Sequence, residues 1–496
     1  MIWGRVLTRL LLCSWVLTLC LSCALSAGHS VTLPERARGG SVYRQMRAAS
    51  QPPSGRRRGT LHVHDRPRDH PQNYTVNNFT QWLDHDDETK GTFRQRYWVD
   101  TGMWRGAPRV LLYIYGEGPA HSSPTGYAQE YGYSSGSLIF ALEHRFYGES
   151  LPGPLTNRSL LAYVSVEQVL ADLKHFKDAM TARYFPDAAE PVQWYVVGGS
   201  YAGAVAAWVR ETYPDDFVAA WSSSGVVNAI FDFYEFDYHL VKVLAVSCAA
   251  VLRDVFRDFS EHYARDPAAV RRALDVPDHF AREDIAWMLV DGAAMAVQYG
   301  QKEAFCAALE GPDGGRPTLT QYRQLLQRLW GGGFTRSCYY STACLSDPRY
   351  HEEWGASYVW VYQCCSQLAY WQVGYPNSLR LPEVNSTYFM DQCRRAYGDA
   401  VFPNTYQFNR KFGGAYPRTD HVIALQGSDD PWRPAGAAAS LGPDYPVVVA
   451  QCSGCGHCGD LHAPRAGDPD TLVRQRALIR AHLDKWLGVD GGTGAV

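Results

Sequence analysis

Past its first thirty residues the sequence has no apolar run long enough to cross a bilayer. It also has no internal repeat, which sets solenoids and propellers aside. Charged residues make up only 20% against 46% apolar, a balance that excludes a disordered polyelectrolyte and fits a globular chain. The body has no surplus of positive charge. Residues 71–496 contain 36 Lys+Arg and 47 Asp+Glu, a net of minus eleven, which argues against nucleic acid as a partner.

The start of the chain is of another kind. Arg5 and Arg9 precede the apolar run 10–27, which ends in small residues. This reads as a signal peptide over 1–27, cleaved between Ala24 and Ala27, with a retained anchor as the alternative. After cleavage no membrane contact is expected. Residues 28–70 read as a basic flexible leader or propeptide; nine Arg face only Glu35, Asp65 and Asp69 between 33 and 70. Within it "GRRRG" (Arg56–Arg58) is either a processing site or an exposed linker. The pair His62 and His64 has no partner ligands nearby, so no metal site is expected.

Once the signal peptide takes Cys13, Cys20 and Cys23, ten cysteines remain. An even number in an exported chain suggests disulfides whose pairing the sequence leaves open. The Cys452-x2-Cys455-x2-Cys458 run reads as bridges before metal. Sequons at Asn73, Asn78, Asn157 and Asn385 suit the same route and are expected glycosylation sites.

From Asn78 the pattern alternates. "RQRYWVD", "RVLLYIYGEG" and "SLIFALEHRFYG" read as strands, and "VEQVLADLKHFKDAMTARY" as a helix with Val166, Val169, Leu170, Leu173 and Phe176 on one face. Strands separated by helices predict a parallel sheet with function at its carboxyl edge. After Val226 helical patterns dominate to about Asn409. "HVIALQGSDDPW" and "YPVVVAQ" then restore the strands, and a last helix stops at Gly488. The expected architecture is α/β, in two parts (71–226 and 410–496), with a helical cap inserted at 227–409.

"WYVVGGSYAGAVAAW" supplies the chemistry. A buried strand runs into Gly198-Gly199-Ser200-Tyr201 and leaves as a helix, which reads as a nucleophile elbow or as an ordinary glycine-rich connection. Its final glycine is replaced by Ala202. Serine needs a base, and the base needs an orienting acid. Asp429 and Asp430 follow one returning strand, and His457, with His462 close by, follows the next. The order serine, acid, histidine is that of α/β-hydrolases. The N–H groups of Tyr201 and of the Gly116 turn are candidate oxyanion donors.

These stretches, together with "QWLDHDDETKGTFRQRYWVD", "YGEGPA", "LEHRFYGES", "SDDPW" and "GHCGDL", resemble a family of exported serine exopeptidases. It comprises lysosomal Pro-X carboxypeptidase, dipeptidyl peptidase II and thymus-specific serine protease, with the last branch most similar. The resemblance covers about residues 80–464. It implies an α/β-hydrolase fold with a helical cap, and a triad of Ser200, Asp430 (the Asp of DPW) and His457. It further implies peptide substrates trimmed at one end, often beside proline, and no metal or organic cofactor. Trp432 and Glu117 are expected to contact substrate, although a core role for Trp432 is equally open. Two departures stand out: Tyr115 where members commonly have glycine, and Gln367 where relatives carry glutamate. An esterase and a catalytically silent binding protein are the alternatives. The acidic body suits a lysosome or endosome as well as secretion, and the sequence leaves room for a homodimer.

Overall fold

The computed structural model describes residues 74–311 and 315–489. The signal peptide, the leader with its "GRRRG" and His62/His64, and Asn73 lie outside the described residues. Eight strands form one sheet: β1 (Tyr74–Trp82), β2 (Thr92–Asp100), β3 (Arg109–Ile114), β4 (Leu138–Leu142), β5 (Gln193–Gly199), β6 (Ala219–Ser223), β7 (Val422–Gly427) and β8 (Val447–Ala450). Their order is β1-β2-β4-β3-β5-β6-β7-β8. β1 and β2 are antiparallel, as are β2 and β4, and every pairing from β4 through β3 to β8 is parallel. This is an α/β-hydrolase fold with helical insertions.

The central strands are apolar throughout because helices cover both faces. Val110, Leu112, Phe140, Trp194, Val196 and Ala220 join one core cluster, and Leu111, Ile139, Tyr195, Val197, Trp221 and Ile423 join the other. The helix Val166–Tyr184 forms as its spacing predicts. Ser165 Oγ caps it by accepting from the Gln168 N–H, and Val166, Val169, Leu170, Leu173 and Phe176 are buried.

Two strands had no clear sequence signal. β1 is rich in Asn, Thr and Gln and half exposed; its nine-residue register with β2, from Tyr74↔Asp100 to Trp82↔Thr92, makes it a strand. β6, "AAWSS", is short and held between β5 and β7. In the opposite sense, the strand expected through Gly148 ends at Leu142. The Glu143 side chain turns inward to accept from Arg96 Nη2 (2.6 Å), the Ala120 N–H (2.9 Å) and Ser150 Oγ (2.8 Å), so "EHRFYG" is a buried polar turn. Gly148 (φ +58°) is required there, since a Cβ would lie 1.9 Å from the Glu143 carboxylate.

Between β6 and β7 every helix or strand element among the described residues is helical. The helical stretch after β6 opens with two helices, Tyr234–Val243 and Val246–Arg265, because Leu244 and Ala245 are extended (ψ 149° and 142°) and redirect the chain. Disulfides Cys248–Cys306, Cys338–Cys344 and Cys365–Cys393 tie this region, and Cys452–Cys455 closes the loop after β8. The ten cysteines are therefore not all bridged: Cys364 and Cys458 are free thiols. Four disulfides fit an oxidising export route. No described helix is long and apolar enough to cross a membrane. Asn78, Asn157 and Asn385 are exposed.

Candidate active site

Ser200 stands between β5 and the helix Tyr201–Thr212. Its backbone is at φ 61°, ψ −127°, which a residue with a side chain rarely adopts, and its N–H is held by the Ser223 carbonyl at 2.9 Å. Glycines make the bend fit. A Cβ on Gly198 would lie 2.2 Å from the Ala202 carbonyl, and one on Gly203 would lie 2.7 Å from that of Ser223. The alanine in place of the last elbow glycine is accommodated, and Gly203 beside it makes the close approach to β6. The turn after β3 meets the same point: a Cβ on Gly116 would contact Ala202 Cβ at 3.4 Å.

The returning strands bring an acid and an imidazole together. His457 Nδ1 and Asp430 Oδ2 are 2.6 Å apart, and both residues are buried. Asp430 Oδ1 accepts from the Trp432 N–H at 3.0 Å, which leaves Oδ2 for the histidine. The His457 N–H donates to the Gln298 carbonyl at 2.7 Å. Its Nε2 is buried without a hydrogen bond, so no hydrogen bond yet joins it to Ser200 Oγ; such contacts often tighten only when substrate is bound. The loop lies against the elbow all the same. The Cys458 N–H donates to Ser224 Oγ at 2.9 Å, and a Cβ on Gly199 would lie 3.0 Å from Cys458 Sγ. Burial disfavours the imidazolium, but the Asp430 carboxylate and Cys458 outweigh it and hold the His457 pKa well above the usual value.

The competing neighbours are occupied elsewhere. Asp429 Oδ2 pairs with Lys302 Nζ at 2.9 Å and accepts from the Gly454 N–H at 2.6 Å. The His462 carbonyl accepts from Arg476 at 3.0 Å, and His462 does not line the cavity at Ser200.

That cavity, about 100 Å³, is lined by Ser200, Glu117, Asp291, Trp360, Tyr370 and Trp432 among others. Trp432 packs edge-on against Phe236 (5.2 Å) and Tyr370 (5.8 Å), and its Nε1 donates to Gln298 Oε1 at 3.1 Å. It is thus both wall and core neighbour. Glu117 is partly open to the cavity yet shielded from bulk water. Burial pushes its carboxyl up to about 7, against the pull of its own N–H and of His457.

Beneath the elbow lies a second polar chain. Tyr147 Oη donates to Gln363 Oε1 (2.6 Å), Gln363 Nε2 donates to Tyr201 Oη (2.9 Å), and Tyr201 Oη donates to His144 Nε2 (3.1 Å). His144 Nδ1 donates to the Arg145 carbonyl at 2.6 Å, which fixes that tautomer, and burial holds the imidazole down to about 4. Sequence reasoning missed Gln298, Gln363 and Asp291, which come from helices with no motif around them. Gln367 does not line the cavity; it accepts from the Val166 N–H (2.8 Å) and donates to Glu167 (2.8 Å). Tyr115 Oη donates to the Ser122 carbonyl at 2.7 Å.

A family model described as serine carboxypeptidase S28 matches residues 81–479. The chain belongs to that family. This S28 chain is 28% identical over 435 residues to thymus-specific serine protease from Mus musculus, covering 80% of this chain and 84% of that one. The Homo sapiens protein of that name is 28% identical over 442 residues, covering 80% and 83%. Lysosomal Pro-X carboxypeptidase from Pongo abelii is 25% identical over 494 residues, covering 88% and 93%. The protein is a serine-type peptidase, a hydrolase, and peptides are its substrate class.

Proposed function

We propose that this S28 peptidase is an exopeptidase that trims peptides through an acyl-enzyme on Ser200. The observation that carries the reading is the strained serine at the end of β5 beside a buried His457–Asp430 pair whose Nε2 is unpartnered. His457 takes the Ser200 proton as Oγ attacks the scissile carbonyl and returns it to the leaving amine. Water then repeats the cycle on the ester. Asp430 fixes the imidazole tautomer and balances its charge. The Tyr201 N–H, with that of Gly116, faces the developing oxyanion. Trp432, among Phe236 and Tyr370, offers a flat aromatic wall that suits a proline ring before the scissile bond, with Glu117 contacting substrate further on. The helices between β6 and β7 act as a cap that admits chain ends and rejects folded proteins. The signal peptide and disulfides support a lysosomal, endosomal or secreted location, with glycans on the exposed sequons.

The test uses protein expressed through a secretory host alongside Ser200→Ala. Peptides with proline next to either end are incubated with each, and products are read by mass spectrometry. Terminal trimming by wild type alone is expected. Internal cleavage, or equal products from both proteins, would overturn the reading.

A further inference from the structure

The helix Arg282–Gln298, one of those inserted between β6 and β7, ends against both loops that hold the acid and the base. A helix leaves its final carbonyls without partners of its own. The Gln298 carbonyl finds one outside the helix, accepting from the His457 N–H at 2.7 Å. His457 is buried, so its N–H needs that acceptor. The Gln298 side chain turns to the other loop. Its Oε1 accepts from Trp432 Nε1 at 3.1 Å, and its Nε2 donates to Tyr299 Oη at 2.9 Å. An indole N–H can only donate, which fixes the sense of the amide. Trp432 in turn gives its backbone N–H to Asp430 Oδ1 at 3.0 Å and so leaves Oδ2 to His457. One residue is therefore bonded to the backbone of the base and, through Trp432, to the acid.

The seam around Gln298 is built for close approach. A Cβ on Gly456 would lie 2.2 Å from the Gln298 carbonyl, and one on Gly300 would lie 2.6 Å from that of Gly454. Farther out, Lys302 pairs with Asp429 at 2.9 Å, and Ser453 Oγ donates to Glu303 Oε1 at 2.5 Å. Those two pairs fasten the seam without touching Asp430, Trp432 or His457. Gln298 reaches Trp432 and His457 directly.

We propose that Gln298 is a positioning residue for the Asp430–His457 pair, so that the inserted helices set the placement of the base as well as enclosing the cavity. This rests on the Ser200 reading above. Without the Gln298 amide, Trp432 loses the acceptor that orients its ring, and the N–H that steadies Asp430 Oδ1 moves with it. The imidazole then follows its acid away from Ser200. A shift of about 1 Å in a reacting group can cost about 100-fold in rate, so a small displacement here is visible in turnover.

The test uses Gln298→Leu and Gln298→Met, which keep the backbone carbonyl and lose both side-chain bonds, beside wild type and Ser200→Ala, on a peptide that wild type trims. The expected result is a kcat about 30-fold lower in both variants, with KM changed less than about twofold. Proton NMR supplies a readout that a merely structural role would not move. The proton shared by His457 Nδ1 and Asp430 Oδ2 should resonate far downfield in wild type and in Ser200→Ala, and move upfield or broaden away in the Gln298 variants. If Gln298→Leu fails to fold, Gln298→Met, closer in shape to glutamine, carries the same comparison. An unchanged kcat in a folded variant, a loss that lies in KM, or a downfield signal that stays in place would overturn this proposal and leave the Ser200 reading intact. Absence of any Ser200-dependent cleavage by wild type would overturn both.

Discussion

Beneath the "EHRFYG" turn, Asp172 is buried against Arg145, which donates from Nε (2.7 Å) and Nη2 (2.5 Å), while His85 Nε2 lies 2.8 Å away. The remaining Arg145 donors are spent on the carbonyls of Trp82, Leu83 and Tyr163. Burial alone would raise the Asp172 pKa, but these partners lower it. In the cavity at Ser200, Asp291 and Glu117 are also shielded from water, yet both are raised by burial with little to oppose it. Identical chemistry thus has opposite electrostatic outcomes in two regions of one domain. A compensated carboxylate fastens the fold; an uncompensated one is held towards its neutral form by burial.

The largest effect should come from the acid that serves a neighbour's chemistry. Asp430→Asn is expected to lower kcat about 10⁴-fold with the fold intact, the loss recorded for the equivalent change in another serine peptidase fold. Asp429→Asn, one residue away, should instead leave kcat nearly unchanged and lower the melting temperature by freeing Lys302. Steady-state kinetics and circular dichroism on both variants separate the roles. Similar kinetics in the two would break the distinction.

Next comes the compensated pair. Arg145→Leu strands Asp172 and should destabilise by about 3–5 kcal/mol at neutral pH, measured by urea unfolding. The folded pKa of Asp172 is depressed, so its contribution is present above the unfolded value near 3.8 and lost as pH falls through the folded one. The penalty in the variant should therefore shrink on acidification, as the stranded carboxylate takes up a proton. A pH-independent loss would contradict the pairing.

Glu117→Gln sharpens the contrast from the other side. The folded pKa is raised from 4.5 to about 7, so the folded state binds more protons than the unfolded one within that window, and wild-type stability falls as pH rises through it. The variant should gain up to about 3 kcal/mol over wild type at pH 8 and nothing below pH 4.5. The smallest effect is expected from Gln363→Leu, which removes partners from Tyr147 and Tyr201 at a cost of about 1–2 kcal/mol. Its kcat should fall more than its KM changes, because Tyr201 follows the proposed nucleophile.

The same contrast explains what was legible in the sequence. Ser200, Asp430 and His457 each follow a strand of apolar residues, so the elbow and the strand-end loops could be found by pattern. The β3–β5 and β7–β8 strands and the helix Val166–Tyr184 were readable for the same reason. Asp291, Gln298 and Gln363 reach the site from helices whose spacing reports only a buried face; tertiary packing alone turns one polar residue inward. β1 was hidden by its polar composition and exists through pairing with β2. "EHRFYG" looked like strand because its residues are bulky, whereas the inward Glu143 carboxylate demands a turn. Ten cysteines suggested disulfides with the pairing left open, and counting cannot reveal that Cys364 and Cys458 lack disulfide partners.

The most direct test of the central claim is covalent labelling of the resting enzyme with a fluorophosphonate, read by peptide mass spectrometry. The account predicts a single phosphonyl adduct on Ser200, absent in Ser200→Ala and formed far more slowly in Asp430→Asn. A folded wild-type protein that takes no adduct, or takes it on another residue, would contradict the assignment of Ser200 as the nucleophile.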